Sequence, residues 1–159
     1  MDVSHKPIPE DYHSLTPLLA VRDAAKAIGF YKNAFHAREM SRQVGPGGRV
    51  LRVELRIGDS VFLLTEESLE AGSSSPQTLG GTPVGLYLYV PDVETAFVRA
   101  RIAGAKVRKP LRDTFWGDRC GQLGDPFGHV WTLAERREAL TPAQMQERAL
   151  RQCTQPAAV

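Results

Sequence analysis

Two stretches of the sequence share one layout: LLAVRDAAKAIGFY at residues 18–31 and YLYVPDVETAFVRA at residues 87–100. Each is an apolar run that ends in Val-x-Asp and continues into a helical pattern. Asp23 in the first stretch corresponds to Asp92 in the second, and the two are 69 residues apart (92 minus 23). A duplicated strand–helix–strands unit predicts two half-sheets related by a pseudo-twofold axis, with a ligand cleft where they meet.

The composition is that of an ordinary globular chain. Its 159 residues are 42% hydrophobic and 24% charged, and the net charge of +2 is too small for nucleic acid to be an expected partner. No apolar stretch approaches the roughly 20 residues that a membrane span needs, so a membrane is not expected either. Cys120 and Cys153 form no disulfide or metal-binding pattern, which suits a reducing compartment. The N-terminus also lacks the apolar core of a signal peptide, so we expect a cytoplasmic location.

Turn and capping signals divide the chain into segments. Gly45-Pro46-Gly47-Gly48 predicts a hairpin turn. Thr141, followed by Pro142 and Gln144, forms a capping box and predicts a last helix. The expected segments are an N-terminal arm (1–12), a first βαβββ module (13–68), a linker (69–82), a second βαβββ module (83–135), and a C-terminal helix and tail (136–159).

Within each module the same elements are expected. In the first module, the apolar and capping patterns predict strand 14–21, helix 23–35, a hairpin of 38–44 with 49–57, and strand 61–65. In the second they predict strand 84–90, helix 92–104, a hairpin over 107–123, and strand 129–134.

This order, together with FWGDRCGQLGDPFGHVW at residues 115–131, resembles the vicinal oxygen chelate superfamily. That group includes glyoxalase, bleomycin resistance proteins and extradiol dioxygenases. The phrases LTPLLAVRDAAKAIGFYKNAF and LRVELRIGDSVFLLTEE look most like its demethylubiquinone-methyltransferase-like, phosphonate-operon-associated subgroup. The resemblance implies an α+β fold of two βαβββ modules forming a curled mixed sheet around a cleft, and a homodimer.

Enzymes of this superfamily hold a divalent metal with His, Gln or Glu side chains from the first and last strands of each module. The resemblance places those positions at Thr16, Gly85, Leu63 or Thr65, and Thr132. None of these residues is an effective ligand for Zn²⁺, Ni²⁺ or Mn²⁺. We therefore expect no metal and no other cofactor.

Strand alternation indicates which side chains line the cleft instead. In RVLRVELRI, it places Arg52 and Glu54 with Arg56 on the concave face. Arg52 and Glu54 are either the polar anchors of a mostly apolar pocket, or the three charges form a solvated edge or a pair within a dimer contact. Tyr87 and Tyr89 are either stacking platforms or ordinary sheet packing, since aromatic residues favour strands.

The segment Phe115-Trp116-Gly117-Asp118-Arg119 adds aromatic and charged groups. Phe115 and Trp116 can wall a planar ligand, and Arg119 can pair with Asp118; a structural corner is the other reading. The candidate ligand-binding residues are Thr16, Arg52, Glu54, Leu63, Tyr87, Tyr89, Phe115, Trp116, Arg119 and Thr132.

These features favour a metal-free protein that binds an aromatic or amphipathic, antibiotic-like small molecule without changing it. No Gly-x-Ser-x-Gly elbow and no phosphate-binding glycine loop is present. Two alternatives stay open: a metal-dependent enzyme of the glyoxalase or dioxygenase type, and a structural or regulatory dimer without a ligand.

Overall fold

The computed structural model describes residues 6–154, which form two compact units. The first unit contains the chain up to Thr82 together with Pro126–Gly128, and the second contains Pro83–Asp125 and the chain from His129 onward. Each unit has one four-stranded mixed sheet with helices, which confirms the α+β class.

Both units use the same strand order. The first sheet is ordered β1-β4-β3-β2 and the second β5-β8-β7-β6, and in each the first strand runs parallel to the last. The elements of the first unit are β1 (Leu18–Val21), α1 (Ala24–Phe35), β2 (Arg38–Val44), β3 (Val50–Ile57), β4 (Ser60–Glu66) and α2 (Pro76–Leu79). Those of the second are β5 (Gly85–Tyr89), α3 (Val93–Ala103), β6 (Lys106–Asp113), β7 (Asp118–Gly124), β8 (Val130–Arg136) and α4 (Pro142–Thr154).

The two long helices α1 and α3 begin in the same way. Asp23 has an extended backbone and accepts a hydrogen bond from the Lys26 amide at 3.0 Å, while Asp92 does the same with the Thr95 amide at 3.0 Å. These N-caps satisfy amides that have no partner within the helix. The predicted starts of both helices are confirmed.

A second carboxylate reaches each helix start from the last strand of the same sheet. Glu66 accepts from the Ala24 amide at 3.3 Å, and Glu135 accepts from the Val93 amide at 3.0 Å. The two acceptors are 69 residues apart, and so are the two donors. This hydrogen bond is therefore repeated together with the fold. Negative charge at a helix N-terminus is favourable, which links each helix to its sheet.

The core of each unit lies between its sheet and its long helix. In both units, apolar strand residues that face the helix are fully buried, as the alternation predicted. They include Val21, Val53, Leu55 and Leu64 in the first unit, and Leu123 and Leu133 in the second.

Two segments differ from the sequence prediction. Strand β1 begins at Leu18 rather than at Ser14, because Pro17 has no amide hydrogen for the ladder and contributes only its carbonyl, which accepts from Leu63 at 2.8 Å. The predicted linker contains the short helix α2, capped by the fully buried Ser75, whose side chain accepts from the Thr78 amide.

The C-terminal helix α4 begins as predicted. The Thr141 amide donates to Gln144 Oε1 at 2.9 Å, and the Gln144 amide donates to Thr141 Oγ1 at 3.3 Å, which is a complete capping box. Arg148 on α4 forms two hydrogen bonds with the Glu138 carboxylate. Among residues 6–154, no helix has both the length and the apolar character that crossing a bilayer requires.

Candidate ligand-binding site

The second sheet has one face that is turned away from α3, and we call it the open face. The polar and aromatic side chains of the candidate site lie on this face. On β7, Gly121 approaches Phe97 of α3 and Leu123 is fully buried, so these two residues face the helix. Alternation then places Asp118, Cys120 and Gln122 on the open face.

Asp118 is the centre of a compact hydrogen-bonded cluster. Its side chain is buried, with only 3% of the residue exposed. Its Oδ2 atom accepts hydrogen bonds from the hydroxyls of Tyr87 (2.9 Å) and Tyr89 (2.8 Å) and from Trp116 Nε1 (3.0 Å). Buried charges must be compensated, and here three donors from aromatic side chains do so. We call these four residues the Asp118 cluster.

The cluster keeps its hydroxyl groups protonated. Burial is the main cause that raises the pKa of Tyr87, and the hydrogen bond to Asp118 adds to it. For Tyr89 the hydrogen bond to Asp118 is the first cause of a raised pKa, followed by burial. Both phenols therefore act as hydrogen-bond donors across the physiological pH range.

The aromatic rings of the cluster are held in place while part of their surface stays accessible. Tyr87 and Tyr89 lie with ring centroids 5.2 Å apart and are 47% and 60% exposed. Phe115 packs edge-on against Trp116, with centroids 4.7 Å apart. Since the polar ends of Tyr87, Tyr89 and Trp116 are fixed on one carboxylate, the exposed surface is a fixed aromatic platform.

Two depressions meet at Trp116. One is a cavity of about 140 Å³, and the other is a wider groove of about 520 Å³. The cavity is lined by Tyr87, Lys109, Pro110, Arg112, Trp116, Cys120, Gly121, Gln122 and Thr132. The groove is lined by Tyr89, Trp116, Asp118, Arg136 and Met145 of α4.

The structure thus brings together Tyr87, Tyr89, Phe115, Trp116 and Thr132 from the sequence candidates. It does not bring Arg119 with them. Arg119 alternates to the helix side of β7, where it pairs with Glu94 of α3 and with Asp113 at 3.2 Å. The expected Arg119–Asp118 pair is wrong, because neighbouring strand residues point to opposite faces.

The charged candidates of the first sheet pair with each other and with the N-terminal arm. Arg52 donates to Glu54 at 3.3 Å and to the Tyr12 hydroxyl at 3.5 Å. The hydrogen bond from Tyr12, followed by that from Arg52, lowers the pKa of Glu54. Arg56 forms a salt bridge with Asp11 at 3.1 Å. These pairs lie within the first unit, and a ligand contact of Arg52 or Glu54 stays a prediction.

The remaining candidates Thr16 and Leu63 belong to the first unit. Thr16 is half-buried just before β1, and its hydroxyl donates to the His13 carbonyl at 3.3 Å. Leu63 is half-buried in β4, opposite Leu18 on one side and Glu54 on the other. Neither residue lines a depression of the second unit described above.

The donors at the metal positions of the family do not fit a divalent cation. The side chains at these positions are hydroxyls from Thr16 and Thr132, the hydrogen of Gly85, and either an isobutyl group from Leu63 or a hydroxyl from Thr65. Glu66, the adjacent carboxylate, is committed to the start of α1. Within residues 6–154, no group of three or more His, Cys, Asp or Glu side chains could hold a metal ion.

Sequence reasoning did not assign the central carboxylate, Asp118, to the site. The signal was available, because DRCGQLG read with a period of two places Asp118, Cys120 and Gln122 on one face. It also did not include Lys109 and Arg112, which line the cavity from the neighbouring strand β6.

Comparison with known proteins establishes the family. The Glyoxalase/Bleomycin resistance protein/Dioxygenase superfamily matches residues 13–133, and the chain belongs to it. An uncharacterised protein of Mycobacterium tuberculosis is 45% identical over 125 residues, covering 77% of this chain and 74% of that protein.

Two solved structures are similar as well. The gene product At5g48480 of Arabidopsis thaliana has a TM-score of 0.63 and 30% identity, covering 78% of this chain and 99% of that one. TioX from Micromonospora sp. ML1 has a TM-score of 0.62 and 26% identity, covering 81% of this chain and all of that one. The predicted superfamily is therefore confirmed.

Proposed function

We propose that this protein binds a small aromatic or amphipathic molecule on the open face of its second sheet, without a metal and without changing the molecule chemically. The observation that carries the proposal is the Asp118 cluster. A buried carboxylate holds the hydroxyls of Tyr87 and Tyr89 and the indole of Trp116 at 2.8 to 3.0 Å, next to a cavity and a groove. Ligand sites typically combine apolar walls with a few fixed polar groups.

The preorganisation of the aromatic platform supports binding. Ordering a flexible side chain costs about 0.5–1.5 kcal/mol on association. Tyr87, Tyr89 and Trp116 are already anchored, so a stacking ligand avoids most of this cost. Aromatic stacking contributes about 0.5–1.5 kcal/mol per pair beyond the buried area.

The chemistry of the lining residues favours binding over catalysis. Cys120 is buried, and no His, Asp or Glu side chain that could act as its general base is among the residues that line the cavity. The metal positions of the family hold hydroxyl and apolar side chains or glycine. Sequestration requires affinity alone, and the name of the superfamily includes bleomycin resistance proteins beside its enzymes.

A fluorescence screen tests the proposal. The chain has two tryptophans, and Trp131 is 4% exposed with its Nε1 bonded to Asp125, so it serves as an internal reference. An aromatic ligand should change the emission of Trp116 saturably, and Trp116→Phe should abolish this response. A screen in which no aromatic compound produces a saturable change at Trp116 would refute the proposal.

Metal analysis tests the metal-free part separately. Protein dialysed against a chelator should take up no stoichiometric Ni²⁺, Zn²⁺ or Mn²⁺, and its ligand affinity should be unchanged by these ions. Tight uptake of one ion per chain would instead favour the metal-dependent enzyme. The expected homodimer stays a prediction, which light scattering can test.

A further inference from the structure

Two cations on the edge strand β6 face the small cavity beside the Asp118 cluster. Lys109 and Arg112 both line it, and no carboxylate is among its lining residues. Both side chains are exposed, and within residues 6–154 neither forms a salt bridge. By contrast, Arg119 on the helix side of the same hairpin has two acidic partners.

Their shared position requires an irregular strand. Lys109 and Arg112 are three residues apart, so a regular strand would point them to opposite faces. A register shift between them pairs Lys109 with Gln122 and Arg112 with Cys120, two residues of the open face. Bulges commonly re-aim side chains next to binding sites. Bulges also protect sheet edges from pairing with other strands. That role does not require both cations to line one cavity.

The volume of the cavity indicates the size of the group that fits inside it. Its volume is about 140 Å³. Apolar cavities of about 150 Å³ in other proteins hold a single benzene ring. Tyr87 and Trp116 supply aromatic wall, and Gln122 and Thr132 supply neutral hydrogen-bonding groups.

We propose that Lys109 and Arg112 bind the acidic group of a ligand whose single aromatic ring lies in this cavity against Tyr87 and Trp116, so that the ligand class is an aromatic acid. This proposal rests on the proposed function, since it names the chemistry of the molecule bound there. The Arg112 guanidinium can donate two parallel hydrogen bonds to a carboxylate, and Lys109 adds a second positive charge.

Three compounds of similar size but different charge test the proposal: benzoate, benzamide and benzylammonium. The measurement is an NMR titration of the two tryptophan indole N–H signals, in which Trp131 is the reference and Trp116 the reporter. Benzoate should bind about tenfold more tightly than benzamide, because charge-assisted hydrogen bonds are stronger than neutral ones. Its affinity should fall as salt rises, and benzylammonium should bind most weakly.

The variants K109Q/R112Q and K106Q/R108Q form a matched pair. Both remove two charges from β6, but Lys106 and Arg108 do not line the cavity. K109Q/R112Q should reduce benzoate affinity to that of benzamide and leave benzamide unchanged, whereas K106Q/R108Q should preserve the preference for benzoate. Thermal melts of both variants check that the fold is intact.

Each other outcome overturns one claim. Equal affinities for benzoate and benzamide would refute the aromatic-acid proposal and leave the aromatic site of the proposed function standing. Equal losses in both double variants would show that overall charge alone attracts benzoate, which also refutes it. A Trp116 signal that responds to none of the compounds would overturn this proposal, and the proposed function would then depend on the wider fluorescence screen.

Discussion

The first and second sheets have the same skeleton but different open faces. On the helix side they match closely: Asp23 and Asp92 cap the helices, and Glu66 and Glu135 bond to the helix starts. On the open face, Leu18 and Ala20 of β1 correspond to Tyr87 and Tyr89 of β5, since each pair is 69 residues apart.

The charges on the two open faces are also used differently. In the first sheet, Arg52, Glu54 and Arg56 pair with each other and with Asp11 and Tyr12 of the arm. In the second sheet, Asp118 is held by aromatic donors, and the cations of β6 have no acidic partner among the described residues. The repeated helix side therefore maintains the fold, and the residues of the proposed binding site belong to the part in which the two halves differ.

The largest expected effect tests whether the two helix sides are equivalent. Leu64 and Leu133 are both fully buried and 69 residues apart. Leu64→Ala and Leu133→Ala should each lower the free energy of unfolding by about 3 kcal/mol, because each leaves a cavity in a core. Urea denaturation followed by circular dichroism measures this, with Leu15→Ala, at an 88% exposed position, as the control. Clearly unequal losses would contradict the equivalence.

The next prediction compares the central carboxylates of the two open faces. Asp118→Ala removes the common acceptor of three donors and should lower the free energy of unfolding by about 2 kcal/mol. Glu54→Ala removes a partly exposed ion pair and should cost less than about 1 kcal/mol. Asp118→Asn keeps an oxygen acceptor and should recover part of the loss. If both alanine variants lose the same free energy of unfolding, the Asp118 cluster stabilises the fold no more than the ion pairs of the first sheet do.

Exchanging the open faces tests where the ligand binds. The double variant Y87L/Y89A gives β5 the residues that β1 has at Leu18 and Ala20. It should weaken aromatic-ligand binding by more than about tenfold, or about 1.4 kcal/mol, because the stacking surface is removed. Calorimetric titration at a temperature well below the melting transition measures the affinity.

Leu18→Ala is the matched control for this exchange. It alters the exposed counterpart on the first sheet and should leave the affinity unchanged. Binding that survives Y87L/Y89A, or that is lost in Leu18→Ala, would move the site away from the second sheet.

The skeleton was predictable because its signals are local in sequence. Asp23 and Asp92 cap helices through neighbouring amides, and the Thr141–Gln144 capping box depends on residues three apart. Proline misled the prediction of β1, whose first residues were placed before Pro17 although that residue cannot donate to the sheet.

The site was only partly predictable because it depends on alternation and register. Tyr87, Tyr89 and Trp116 were selected as aromatic residues, but Asp118 was paired with Arg119, which a strict period of two excludes. Lys109 and Arg112 share a face only through a bulge. A bulge changes which residue opposes which, and the signal for it in the sequence is Pro110 between the two cations, since proline within a sheet is confined to edges and bulges.

The smallest expected effect on stability concerns Glu67, a position just after β4 at which the two halves differ. Glu67 follows β4 and accepts hydrogen bonds from the Ser75 amide at 2.9 Å and the Thr78 hydroxyl at 2.7 Å, which ties α2 to the first sheet. The corresponding residue in the second half, 69 positions later, is Arg136. The Ser75 amide, then the Thr78 hydroxyl and finally the charge of Arg22 lower the pKa of Glu67 from 4.5 to about 2.

This difference should appear as a pH-dependent stabilisation of the first half by Glu67. Because the folded pKa is below the unfolded one, the carboxylate stabilises the fold above about pH 4.5, and this contribution is lost as the pH falls towards 2. The melting temperature of Glu67→Gln should therefore be below that of the unaltered protein at neutral pH, and the gap should narrow in acid. Arg136→Gln removes no carboxylate, so its gap should change less with pH than that of Glu67→Gln. A constant gap for Glu67→Gln would mean that its charge does not stabilise α2, and that the hydrogen bonds alone join this helix to the first sheet.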